Sequence, residues 1–199
     1  MSARPQKIVM ASGNAGKIRE IARLLEGLGI EVIAQSEFGV EDAEETGTTF
    51  AENSLIKAQH AALKTGLPAI ADDSGLSVDA LDGAPGVYSA RYSGPDADDA
   101  SNNAKLLAAM DDCDQRGAAF HCVATFVEPG QEPLVASGEW RGEILRKLSG
   151  DGGFGYDPLF YVADCDCSSA ELTPEQKNAR SHRGQALRQL LRLMEQRYS

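Results

Sequence analysis

Positive charge is scarce in this chain: 19 lysines and arginines face 30 aspartates and glutamates across 199 residues, a net charge of -11 at pH 7. A surface of that sign repels polyanions, so a nucleic-acid groove is excluded as the main working surface. A small anionic ligand is still allowed, because a few local cations and a bound metal override the global field at short range. Long apolar runs are missing too, and no stretch reaches the length of a membrane span. The first residues, Met1-Ser2-Ala3-Arg4-Pro5-Gln6-Lys7, carry no signal-peptide core. Cysteine is sparse: Cys113, Cys122, Cys165 and Cys167 form neither a C-x-x-C pair nor a zinc spacing. They read as incidental thiols, and the chain as cytoplasmic with no membrane partner.

What is present is enough hydrophobic residue, 42%, for a real core, and residues 1–199 suit one large domain or two lobes sharing a cleft. The spacing predicts a strand over 7–11 and a helix over 15–28, with Ile18, Ile21, Leu25 and Leu28 on one stripe. A strand over 31–34 follows. Thr49-Phe50-Ala51-Glu52 has the form of a capping box and opens a helix that stops at Gly66. Two strands are expected over 68–72 and 76–80, separated by a Ser74-Gly75 turn. A helix is expected over 97–110 and a hairpin over 120–127 and 134–141. A strand over 159–162 and a closing helix over 186–196 complete the reading. Strands and helices alternate, then strands cluster, which indicates an α/β fold with a mixed, elongated sheet and helices packed around it.

Five stretches could carry chemistry. Ser12-Gly13-Asn14-Ala15-Gly16-Lys17 joins a strand to a helix start, where free N–H groups and the helix dipole favour an anion. It lacks Walker A spacing; read alone, it fits an ordinary turn with a surface lysine as well. Asp72-Asp73-Ser74-Gly75 puts two carboxylates at an expected strand end, a platform for magnesium or a solvated turn. Glu44-Glu45-Thr46-Gly47 precedes the capped helix that carries Lys57; a carboxylate there could complete a metal site or only favour the helix start. Gly150–Pro158 mixes four glycines with Phe154 and Tyr156, a candidate platform for a flat heterocycle or a strand-entry turn with core aromatics. Lys177 and Ser181-His182-Arg183 bring donors that could read base carbonyls, or form a surface patch. Together the five make a nucleoside triphosphate site.

With those motifs in order, the chain resembles the inosine triphosphate pyrophosphatase family, in particular its bacterial dITP/XTP pyrophosphatase (RdgB-type) branch. Further carriers are Phe50-Ala51-Glu52-Asn53, Gly83-Ala84-Pro85-Gly86-Val87-Tyr88-Ser89-Ala90-Arg91 and Phe154-Gly155-Tyr156-Asp157-Pro158. The one departure is Ser12, where many members carry threonine. The resemblance implies two lobes around a central cleft and a homodimer. It also implies magnesium-dependent hydrolysis of ITP, dITP and XTP to monophosphate and pyrophosphate. It assigns the triphosphate to Ser12, Gly13, Asn14, Ala15, Gly16 and Lys17. Asp73 would be the general base and, with Glu45 in preference to the adjacent Glu44, a ligand of Mg2+; Asp72 is expected beside them as a further metal residue and Lys57 as a substrate contact. Ser74, Phe154, Gly155, Tyr156, Asp157, Lys177, His182 and Arg183 would contact the nucleotide. Two other classes stay open on the residues alone. A phosphotransferase is disfavoured by the loop spacing, and a non-catalytic nucleotide module would not need the acidic pair.

Overall fold

In the computed structural model, which describes residues 4–26 and 29–199, seven strands form one mixed sheet in the order β2-β1-β3-β4-β5-β6-β7. Strand β1 is Lys7–Met10, β2 Glu31–Ala34, β3 Ala69–Val78, β4 Gly117–Val127, β5 Leu134–Ile144, β6 Phe160–Val162 and β7 Cys167–Ser168. β1 runs parallel to β2 and β3, whereas β6 runs antiparallel to both β5 and β7. Among the described residues five α-helices accompany them: α1 Ala15–Glu26, α2 Phe50–Thr65, α3 Asp99–Ala109, α4 Pro174–Arg180 and α5 His182–Tyr198. The chain divides into two compact units, one of Met1–Asp73, Cys122–Ser137 and Gln185–Ser199, the other of Ser74–His121 and Gly138–Gly184.

In the first unit the period-2 pleat of the strands sorts side chains to two faces. Val9, Ala11, Ala69 and Ala71 pack with Ala58, Ala61 and Ala62 of α2. Ile8, Met10, Ile70 and Cys122 pack in another cluster with Ile21 and Leu25 of α1 and with Ala186, Leu187, Leu190 and Met194 of α5. Small residues on the α2 side let that helix come close; the larger aliphatics on the other side fill the space between two helices and the sheet. The capping box of α2 forms as expected: Thr49 Oγ1 accepts from the Glu52 N–H (3.1 Å) and Glu52 Oε2 accepts from the Thr49 N–H (3.1 Å). Gly66 ends the helix in the left-handed conformation, φ 69°. Ile18, Ile21 and Leu25 do face the core from α1, while Leu28 lies outside the described residues. The second unit has its own core of Leu76, Val78, Leu106, Met110, Phe120, Trp140 and Phe160. There the Phe160 ring meets Phe120 at 4.5 Å and Trp140 at 5.2 Å, both tilted.

Three sequence expectations change. The strands expected over 68–72 and 76–80 are one strand, β3, which passes straight through Ser74-Gly75. Turn-forming residues are overruled here by burial on both sides, since eight of its ten residues are buried. Asp72 and Asp73 therefore sit mid-strand and not at a strand end. Second, α5 begins at His182, four residues ahead of the expected start, so His182 and Arg183 form its first turn. Third, α4 and β7 were not anticipated. α4 has a readable signature in Thr173-Pro174-Glu175-Gln176, with a Thr cap, proline at the first helical position and Gln176 closing the capping box. Among the described residues no helix is long and apolar enough to cross a membrane.

Candidate active site

The first unit gathers the charged groups. Asn14 closes the strand-to-helix loop by capping α1: its Oδ1 accepts from the Lys17 N–H at 3.1 Å. Ser12 Oγ accepts from the Asn14 N–H at 3.1 Å. These side chains shape the loop as well as line it. A Cβ on Gly13 would meet nothing within 4 Å, so the loop's outer side is open to an incoming group. Ala15 and Gly16 take the first two helical positions; their side-chain surroundings lie outside what is described. From the first turn of α1, Lys17 reaches Asp72 Oδ2 at 3.0 Å, and that carboxylate is 1% exposed.

Lys57, on α2, joins two carboxylates: its Nζ lies 2.8 Å from Glu45 Oε1 and 3.1 Å from Asp73 Oδ1. Of the two adjacent glutamates it is Glu45 that makes this contact. Burial pushes the Asp73 carboxyl up from its ordinary 3.8; Lys57 opposes that rise and Glu45 adds to it. For Lys57, burial acts to lower the ammonium's pKa, but the charges of Asp73 and Glu45 outweigh it and the value stands above 10.5. Asp73 Oδ2 is buried and makes no hydrogen bond of ordinary geometry, although the nearby Asn53 side chain also favours the charged carboxylate. A buried carboxylate oxygen short of partners is costly, and that cost is relieved by a water, a metal or a substrate group.

The loop that carries Glu45 is set by a residue the sequence reading did not single out. Asn53, fully buried on α2, accepts from the Gly47 N–H through Oδ1 at 2.8 Å. Gly47 is required there for space: a Cβ would lie 2.6 Å from Asn53 Oδ1 and 2.7 Å from Glu52 Cβ. The Phe50-Ala51-Glu52-Asn53 stretch reads as a helix start and as a carrier of the family resemblance, and nothing local in it marks Asn53 as the anchor of a loop six residues upstream.

The second unit gathers the aromatic and cationic groups. Phe154 is 55% exposed, with Lys177 Nζ 4.8 Å and Arg183 Cζ 5.6 Å from its ring centroid. Tyr156, in contrast, is a core residue: it is buried and its hydroxyl donates to the Ser89 carbonyl at 2.8 Å. Its ring is no platform, so the aromatic face expected from this stretch is Phe154's alone. Asp157 is buried and clamps the loop. Its Oδ2 accepts from the Phe154 N–H at 2.8 Å and pairs with Lys177; its Oδ1 accepts from Ser169 Oγ at 2.7 Å. Gly153, with φ 74°, leaves no room for a Cβ against that carboxylate. Asp99 and Asn103 of α3 hold Gly155 from the other side, through its N–H at 2.7 Å and its carbonyl at 2.8 Å. These partners are 56 and 52 residues away in sequence, beyond any local pattern.

At the start of α5, Ser181 caps the helix by accepting from the Gly184 N–H at 3.1 Å. The His182 ring stacks on Phe120, centroids 4.8 Å apart and planes 12° from parallel. Arg183 donates to Ser74 Oγ at 3.1 Å, and Ser74 directly follows Asp73 along β3.

The arrangement can do two things chemically. A buried carboxylate stands beside a lysine and a second carboxylate; separately, an exposed ring is flanked by fixed cations. Magnesium fits the first group. Among the described residues no three His, Cys, Asp or Glu side chains form a ready-made metal cage. Magnesium takes one or two carboxylates and draws its other ligands from substrate phosphates and water. Glu45 and Asp73 supply hard oxygen donors of that kind. Asp72, the third residue expected there, turns Oδ2 to Lys17 and to Cys122 Sγ, 4.0 Å away.

Comparison with known proteins gives a consistent answer. The sequence profile described as Ham1 family matches residues 8–193. The dITP/XTP pyrophosphatase of Photorhabdus laumondii is 58% identical over 190 residues, covering 94% of this chain and 96% of the relative. The dITP/XTP pyrophosphatase of Shigella flexneri gives the same identity and coverage. Among solved structures, a HAM1 protein from Coxiella burnetii superposes with a TM-score of 0.91 at 52% identity, covering 96% of this chain and 98% of that one. Because the matched span takes in every side chain placed above, from Ser12 to Arg183, the chain belongs to the Ham1 family.

Proposed function

We propose that this chain is a magnesium-dependent nucleoside triphosphate pyrophosphatase, which converts dITP, ITP and XTP to the monophosphate and pyrophosphate and so clears deaminated purines from the nucleotide pool. The observation that carries the reading is Asp73: a buried carboxylate with a raised pKa, beside Lys57 and Glu45. The names of the relatives, dITP/XTP pyrophosphatases at 58% identity, supply the reaction and the substrates.

The first unit would work on the triphosphate. Ser12, Gly13, Asn14, Ala15 and Gly16 present the loop, and Lys17 and Lys57 offset the charge on the phosphates. Asp73 orients a water and takes its proton as the water attacks the α-phosphorus. The proton on Asp73 and the electron pair on departing pyrophosphate balance the step. Glu45 and Asp73 would hold magnesium, which supplies Lewis-acid neutralisation of phosphate charge. The second unit would read the base. Phe154 offers the stacking face, and Lys177, His182 and Arg183 offer donors, with Gly155, Asp157 and Ser74 holding them in place. Donors pair with the 6-oxo group of inosine and xanthine and leave the 6-amino group of adenine unmatched, a basis for strong rejection. The protein is further proposed to act in the cytoplasm as a homodimer.

Incubation with ITP, dITP, XTP, ATP and GTP plus magnesium, followed by ion-exchange separation, tests this. Monophosphate and pyrophosphate from the first three is the expected outcome. Diphosphate and phosphate would make the protein a phosphatase, and no product would make it a binding module; either result overturns the proposal.

A further inference from the structure

Two adjacent residues of one β-strand point to opposite faces of its sheet, and Asp72 and Asp73 are adjacent in the uninterrupted β3. Their surroundings obey the pleat. Asp73 follows Ala69 and Ala71 to the α2 side and meets Lys57. Asp72 follows Ile70 to the side of α1 and α5, where it meets Lys17 of α1 and the thiol of the fully buried Cys122. Each carboxylate thus makes its direct ion pair with a different lysine, from a different helix, although the charge of Asp72 also reaches Lys57. A magnesium ion shared by both would have to approach oxygens on the two faces at about 2.1 Å each.

We propose that Asp72 is a positioning residue which fixes the Lys17 ammonium for the phosphates and does not hold the metal. This rests on the functional reading above, in which Lys17 serves the triphosphate and Asp73 with Glu45 serves magnesium. A lysine in the first turn of a surface helix has a flexible stem whose ordering costs rotamer entropy. Asp72 settles that ordering before the nucleotide arrives, because a carboxylate only 1% exposed keeps its charge only with a cation against it. Cys122 contributes a weak S–H donor to the same oxygen and an apolar wall behind it.

The test is a double-mutant cycle of wild type, Asp72→Asn, Lys17→Met and Lys17→Met/Asp72→Asn, read in two ways. Calorimetry with magnesium tripolyphosphate measures anion binding without turnover. ITP hydrolysis at varied magnesium gives the concentration for half-maximal rate. Asp72→Asn should weaken tripolyphosphate binding roughly tenfold, the scale of one charge-assisted contact. In the Lys17→Met background it should add less than about twofold, because the residue acts through that lysine. The half-maximal magnesium concentration should stay within about twofold of wild type. Equal losses in both backgrounds, a tenfold rise in the magnesium requirement, or no tripolyphosphate binding by wild type would overturn the proposal. Should Asp72→Asn alone fail to fold, the double variant removes both charges of the buried pair, and its comparison with Lys17→Met still decides. Wild type that binds tripolyphosphate but leaves ITP intact would defeat the functional reading, while the binding cycle would still judge Asp72.

Discussion

At Asp73 two opposite influences meet: burial and Glu45 favour the proton, and Lys57 favours the charge. Folded protein therefore binds this proton more tightly than unfolded chain. The sign follows from that: stability supplied by the group falls as pH rises from 3.8 through its raised folded value. Lys57 works the other way. Its contribution is complete below 10.5 and is lost as pH rises through its raised value. Lys57→Met removes the one large influence that holds Asp73 down. Carbon-13 NMR of the side-chain carboxyl, followed against pH without nucleotide, should show Asp73 titrating above the ordinary aspartate range in wild type and higher still in Lys57→Met. A downward move in the variant would mean that Lys57 does not act on Asp73 as described. At this scale the sequence named the charged residues well, because Lys17, Lys57, Asp72 and Asp73 are chemically conspicuous. It could not pair them, since the choice of Lys17 for Asp72 and Lys57 for Asp73 depends on which way a strand residue faces. Nor could it tell Phe154 from Tyr156, two residues apart, one exposed and one buried.

At the scale of elements, reading succeeded where the signal is local and failed where burial decided. The Thr49–Glu52 capping box, the Gly66 stop and the 31–34 strand are short-range patterns, and all three stand in the structure. Ser74-Gly75 is a good turn by composition, yet β3 runs through it, because neighbours on both faces keep the strand going. Asp99, Asn103 and Asn53 were passed over for the same reason in reverse: their roles are contacts with loops, not features of the helices that carry them. The Asn53–Gly47 contact makes an element-level prediction. In Gly47→Ala the new Cβ lies 2.6 Å from Asn53 Oδ1, so the 44–47 loop must shift, at a cost of about 1–3 kcal/mol. Urea unfolding should register that loss, and the magnesium concentration for half-maximal ITP hydrolysis should rise as Glu45 moves. A variant with wild-type stability and wild-type magnesium dependence would show that this glycine does not set the loop.

At the scale of the whole molecule, an acidic chain takes a polyanionic substrate. The net charge of -11 repels nucleic acid at a distance, whereas Lys17, Lys57, Lys177 and Arg183 act only at close range. The proposed division of labour between the two units predicts that base choice and phosphate chemistry can be separated by mutation. Arg183→Ala, in the second unit, should narrow the ratio of kcat/KM for ITP over ATP roughly tenfold or more while the products stay the same. A ratio unchanged in steady-state kinetics would take Arg183 out of base recognition. The central claim is that a water aligned by Asp73 attacks the innermost phosphorus, and hydrolysis of ITP in oxygen-18 water measures it directly. The account predicts one heavy oxygen in the inosine monophosphate and none in the pyrophosphate; heavy oxygen in pyrophosphate or in released phosphate would contradict it.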